Sequence, residues 1–196
     1  MKFLKAFLLL PLAVVALAGP AMAQAKVIVI DRDRILAQSQ VGQHVAERLT
    51  TIEAEMAAEL QAIGAPLAQE RDALNAETAS MTPAAVQARP DLMQRIEALN
   101  ANAAAFEQAR RIRAEELERT RVQALRPVGE ALDGIVQQLV ANEAPDLLLD
   151  RSVLYYASDN VDMSATLIEQ LNAQLPTVPV NRVRVSVDPA ASQGGE

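Results

Sequence analysis

From Val41 onward the apolar positions fall at Val41, Val45, Leu49, Ile52, Met56, Leu60, Ile63, Leu67 and Leu74, a 4-4-3 spacing that returns every eleven residues. An eleven-residue repeat means about 3.67 residues per turn, so the apolar seam stays nearly parallel to the axis of a straight or slightly right-handed helix pair. The pattern predicts one long helix. It dissolves across "ETASMTPAAVQARPDL", where Thr82-Pro83 fits an N-cap followed by Pro at the first helical position and Arg89-Pro90 marks a second boundary. A returning helix is predicted from about Asp91 to Val140, with Leu92, Ile96, Leu99, Ala103 and Phe106 on one face and Leu125, Val128, Leu132, Ile135 and Leu139 near its end. Limbs of about 40 residues at 1.5 Å each make an arm of roughly 60 Å. The outgoing limb is rich in Glu and the returning limb in Arg, which favours the hairpin, although an exposed ion pair contributes only about 0.2–1 kcal/mol.

The two ends of the chain read differently. "KVIVID", Lys26 to Asp31, is a short β-branched run suited to a buried strand, and "DLLLDRSVLYYASDN", Asp146 to Asn160, reads as a strand hairpin around a short polar turn. The late hairpin can reach the first strand only if the helices between them leave and return to one place, which a coiled-coil hairpin does. A small mixed sheet is therefore expected from Val27, Ile28, Val29, Ile30, Leu147, Leu148, Leu149, Leu154 and Tyr156, capped by a helix from about Met163 to Ala173 with Asp162 as its N-cap. Three strands with open edges are marginal, so association of several chains is expected. The Pro-punctuated stretch 176–196 is expected to be largely disordered, with "VNRVRVSV" as an alternative edge strand.

Composition sharpens this picture. The 51% hydrophobic fraction contains only three Phe, two Tyr and no Trp, which suits long helices zipped along thin seams. At the N-terminus, Lys2 and Lys5 precede "FLLLPLAVVALA", too short for a membrane span, and "AMA" offers a cleavage point, so residues 1–23 read as a secretory signal peptide. Cleavage after Ala25 competes with cleavage after Ala23. Without Cys there is neither a disulfide nor a lipid-accepting thiol. Removing Lys2 and Lys5 from the 18 basic residues leaves 16 against 25 acidic ones, a net charge of −9 that argues against nucleic-acid binding.

The order of "KVIVIDRDRILAQSQVG", a long helical excursion and "DLLLDRSVLYYASDNVDMSATLIEQLN" resembles the Skp, or OmpH-like, family of periplasmic chaperones over roughly residues 26–175. Ser39 and Gly42, Asp150, Leu154 and Tyr156, and Asp162-Met163-Ser164 carry the resemblance. It implies an α+β, mainly helical protein: a homotrimer whose strands build a β-barrel-like body from which helical arms project around a cavity for unfolded outer-membrane proteins. On that frame residues 24–36 and 141–175 form the trimerisation base, 37–140 the arm with its tip at about 78–91, and 176–196 a tail. Two departures limit the transfer. The mature chain is acidic where the family is basic, with Lys26 its only lysine, and Arg89 is the only cation of the tip, so electrostatic capture of clients or lipid is not carried over.

Chemistry is sparse. Asp31 and Asp33 suit the positive end of a helix better than an acid pair, His44 reads as an exposed helix residue, and "DNVD" at 159–162 lacks the rhythm and Gly of a calcium loop. No phosphate loop, nucleophile elbow or metal set is present in the sequence, so neither enzyme activity nor a cofactor is expected. Gly64 and Pro66 in the outgoing limb, with Pro127 and Gly129 in the return, are hinge candidates. Met81, Val86, Leu92 and Met93 near the tip are candidate client contacts, local packing of the turn being the plainer reading. The reading as a whole is a periplasmic, ATP-independent holdase for unfolded outer-membrane β-barrel proteins; the alternative is a coiled-coil structural or adaptor protein.

Overall fold

The computed structural model describes residues 25–185. The expected signal peptide and the last part of the tail, 186–196, lie outside the described residues. Strand β1 (Val27–Ile30) is followed by α1 (Arg32–Gln38), the long α2 (Gln40–Thr78), a one-turn α3 (Pro83–Gln87), the longer α4 (Pro90–Glu143), strand β2 (Leu147–Asp150) and α5 (Ser164–Gln174). Helices α2 and α4 pack on each other as the two limbs of an arm. Thr82 caps α3 by accepting from the Ala85 N–H at 3.2 Å, with Pro83 in its first turn.

The strands pair in parallel, Val27 with Leu147 through Ile30 with Asp150. Parallel neighbours need a long crossover, and here the whole arm is that crossover. The expected hairpin is not formed. After β2 the Asp150 carboxylate accepts from both the N–H and the Oγ of Ser152, at 2.8 and 2.6 Å, and caps a 3₁₀ turn at Arg151–Val153. No Asn-Gly or Gly-initiated pair is available there to reverse the chain tightly. Leu154 and Tyr156, placed in a strand by the sequence pattern, lie in irregular backbone; Leu154 is half-buried, while Tyr155 and Tyr156 are exposed. Among the described residues the sheet therefore has two strands, extended only by an isolated parallel bridge between Val29 and Asp162.

Two buried serines tie the base together. Ser164 Oγ accepts from the Asp31 N–H at 2.8 Å, joining α5 to the end of β1. Ser39 caps α2 through its Oγ, which accepts from the Gly42 N–H at 3.1 Å and donates to the Leu36 carbonyl at 3.3 Å. Asp31 caps α1 by accepting from the Arg34 N–H, and the Asp162 carboxylate accepts from the Ser164 N–H at the start of α5. Both acids thus occupy helix starts, where a negative charge meets unsatisfied N–H groups.

The largest correction concerns the tail. Residues 176–185 lie extended against the root of the arm, with Val178 and Val180 buried in the same core as Ile35, Val45, Val128 and Leu171. Disorder is not the state of this segment because it has apolar side chains to bury and a ready surface to bury them on. His44, expected to be exposed, is half-buried beneath it and its Nε2 meets the Val178 carbonyl at 3.1 Å.

Candidate functional site

Packing along the arm is uneven. At the root Val41, Val45, Ile52 and Met56 of α2 are buried with Ala124, Val128, Leu132 and Ile135 of α4. At the tip Leu74 and Leu92 close the pair. Between these zones no apolar side chain of either limb is fully buried, and a groove of about 420 Å³ opens along Gly64, Leu67, Ala68, Leu99, Ala103 and Phe106. Ile63, a seam position by spacing, is 44% exposed. With Ala at 68, 101, 103, 104 and 105, the facing stretches carry too little side-chain volume to fill the interface.

The hinge candidates have different surroundings. A Cβ on Gly64 would come within 3.0 Å of the Phe106 ring, so the missing side chain lets that ring lie against the α2 backbone. Pro66 and Pro127 sit inside continuous helices, each without the N–H that would bond the carbonyl four residues earlier. Gly129 is exposed and a Cβ there would meet nothing within 4 Å. Gly129→Ala should therefore stabilise the chain by about 0.5–1 kcal/mol, read as a higher urea midpoint with unchanged slope. Of the tip candidates, Met81, Val86 and Met93 are half-buried, whereas Leu92 is fully buried and belongs to the closure of the tip, not to a free surface.

Polar groups join the limbs and bind the C-terminal segment. Arg95 reaches Glu70 and Glu77 across the outer arm, each at 2.8 Å. Nearer the root, the Arg113 Nε donates to Glu59 at 2.9 Å. Arg182 then enters from the extended segment: its guanidinium donates to both Glu59 oxygens at 2.7 and 3.1 Å and to Glu116 Oε2 at 2.8 Å. Backbone groups complete the contact, the Val183 N–H donating to Thr120 Oγ1 at 2.9 Å and the Val185 N–H to Glu116 Oε1 at 3.1 Å.

Glu116 and Thr120 are both buried, and with Ala124 and Val128 they form a run of positions spaced by four along α4. Sequence reasoning passed over this cluster. The available signal was two polar residues in phase with an apolar seam, which a buried interface tolerates only if partners exist.

Charge governs the cluster. Hydrogen bonds from Arg182, opposed by burial and reinforced by the charges of Arg182 and Arg113, hold the Glu59 carboxyl down from 4.5 to about 2. Burial pushes Glu116 up, but the Arg182 and Val185 hydrogen bonds and the two guanidinium charges outweigh it and leave it below the usual range. A depressed folded-state value means that ionised Glu59 stabilises the fold fully above its unfolded value. That contribution is lost as pH falls from 4.5 towards about 2. Because Glu59 is partly solvated, the effect is modest: the wild type should melt about 2–4 °C above Glu59→Gln at pH 7, and the gap should shrink below pH 4.5 and close only as pH falls through about 2.

The sequence model of the outer membrane protein (OmpH-like) family matches residues 26–171. The chain belongs to this family. Among solved structures, the OmpH-like fold is matched by a Caulobacter crescentus protein described as a candidate OmpH-like outer membrane chaperone, at 29% identity and a TM-score of 0.67. That match covers 85% of this chain and 94% of the other. Among curated proteins none gives a significant match. The OmpH-like match ends at residue 171, so the segment that binds the arm root, 176–185, lies beyond it. Among the described residues no helix is long and apolar enough to cross a membrane.

Proposed function

We propose that this chain is an ATP-independent periplasmic holdase that binds unfolded outer-membrane β-barrel proteins and prevents their aggregation. The observation that carries the reading is the arm, zipped at root and tip but open in between, on a chain of the OmpH-like family. An incompletely filled helical seam offers many weak apolar contacts and no single tight pocket, which suits clients with no fixed shape. The family's structural relative, described as a candidate outer membrane chaperone, supports the same class of activity.

Several arms acting on one client raise the effective concentration of each weak contact, so a homotrimer is part of the proposal. Exposed Leu147, Val153, Tyr155 and Tyr156 at the base support association, since a lone two-stranded sheet leaves its edges open. Gly64 and Pro66 in the outgoing limb, with Pro127 and Gly129 in the return, would let arms bend around clients of different size. Met81, Val86 and Met93 remain candidate client contacts near the tip.

The test is dilution of a urea-unfolded outer-membrane barrel protein into buffer with and without the purified mature chain. Light scattering should be suppressed at about one trimer per client, with a complex of matching mass. Scattering that rises as it does in buffer alone would remove the chaperone reading and favour a structural or adaptor role.

A further inference from the structure

Residues 178–185 are held as a peptide is held by a receptor. Val178, Val180 and Arg182, at alternate positions, are the side chains that the arm root buries or nearly buries. Such alternation is what an extended backbone produces. No strand pairs with this segment among the described residues; instead its Val183 and Val185 N–H groups are taken by Thr120 and Glu116, and its Val178 carbonyl meets His44.

With the segment lifted away, Arg113 alone would face Glu59 and Glu116, at 2.9 and 3.4 Å. One cation would then serve two carboxylates, one of them buried, and a second guanidinium would be needed to complete the set. The vacated surface would thus select an extended segment with valine-like residues and an arginine on one face. It reads the backbone through acceptors spaced for alternate N–H groups.

We propose that the arm root is a receptor for an extended arginine-bearing strand, and that residues 178–185 are its resident occupant, displaced when an unfolded client segment of the same pattern enters. The client's identity rests on the holdase reading; the receptor itself does not. Barrel strands alternate apolar and polar positions, so a strand whose apolar face runs out into an arginine has the required form. Tethering to α5 gives the resident segment an effective concentration in the millimolar range, so a lone client segment competes poorly. A client engaged at several arms competes well, which couples occupancy of the cage to release of the segment.

The test uses the full chain and a fluorescent peptide copying residues 176–185, "PTVPVNRVRV". Arg182→Ala weakens the resident segment and leaves the receptor intact, so this variant should bind the probe at least ~10-fold more tightly than the wild type. Adding Glu59→Gln to that variant, or replacing the probe's arginine by glutamine, should abolish the gain. Equal binding by wild type and variant, or by arginine and glutamine probes, overturns the receptor. Circular dichroism checks the fold, and if Arg182→Ala does not fold, Arg182→Lys takes its place in the same comparison.

A barrel-strand peptide with the Val-x-Val-x-Arg pattern should then displace the probe. Failure of displacement while scattering is still suppressed would overturn the client step and leave the holdase standing. Displacement without suppression would support the receptor and sink the holdase.

Discussion

Replacing Gly42 by Ala should lower stability by about 3 kcal/mol, seen as a fall in melting temperature of roughly 6–12 °C. A Cβ at this position would sit 1.7 Å from the Leu36 carbonyl oxygen and 2.7 Å from its carbon. The obstacle is backbone, not the end of a flexible side chain, so relief requires α1 to move away from α2. Movement there breaks the Ser39 cap and unpacks Ile35 and Val41, both fully buried. Gly134→Ala is the control, because a Cβ there meets nothing within 4 Å, and it should leave the melting temperature unchanged or higher. Equal melting of the two variants would mean that the corner between α1 and α2 can open freely.

Arg182→Ala should cost about 2 kcal/mol in urea unfolding. It strips the buried Glu116 of its closest cation and leaves only Arg113, at 3.4 Å. Partial solvation of Glu59 and the remaining Arg113 keep the figure below that of a wholly unpaired buried charge. Arg182→Lys should recover little, since an ammonium cannot span two carboxylates as the guanidinium fork does. Combining Arg182→Ala with Glu116→Gln should cost less than the sum of the single changes, because both remove the same interaction. Hydrogen exchange locates the effect: amides of Val183 and Val185 should lose protection while α4 keeps its own.

Much of this architecture was legible because its determinants are local. The eleven-residue return of apolar positions marks α2, and Thr82-Pro83 marks the turn at the tip as an N-cap with Pro in the first turn. Glu70, Glu77 and Arg95 were readable as limbs of opposite charge, and the structure pairs them. The meeting of "KVIVID" with Leu147–Asp150 followed from the arm's return and is realised as β1 against β2. Misreadings began where local pattern stopped being decisive. Valine and tyrosine content suggested a second strand after Asp150, yet the Asp150 side chain captures Ser152 and turns the chain before one can pair.

The cluster at the arm root lies at the far end of that scale. Glu59, Glu116 and Arg182 are separated by 57 and 66 residues, and no periodicity links them. Glu116 did not stand out from the other charges of the returning limb, and Arg182 fell in the stretch expected to be largely disordered or an edge strand. By itself the sequence determined the two limbs, their reversal and the strand they bring home, because helix periodicity, capping and breakers act within a few residues. Only the tertiary structure decided that residues 176–185 are ordered and that the middle of the arm stands open. Both depend on the side-chain volume and buried charge that distant segments present to each other, quantities that exist only once the chain has folded.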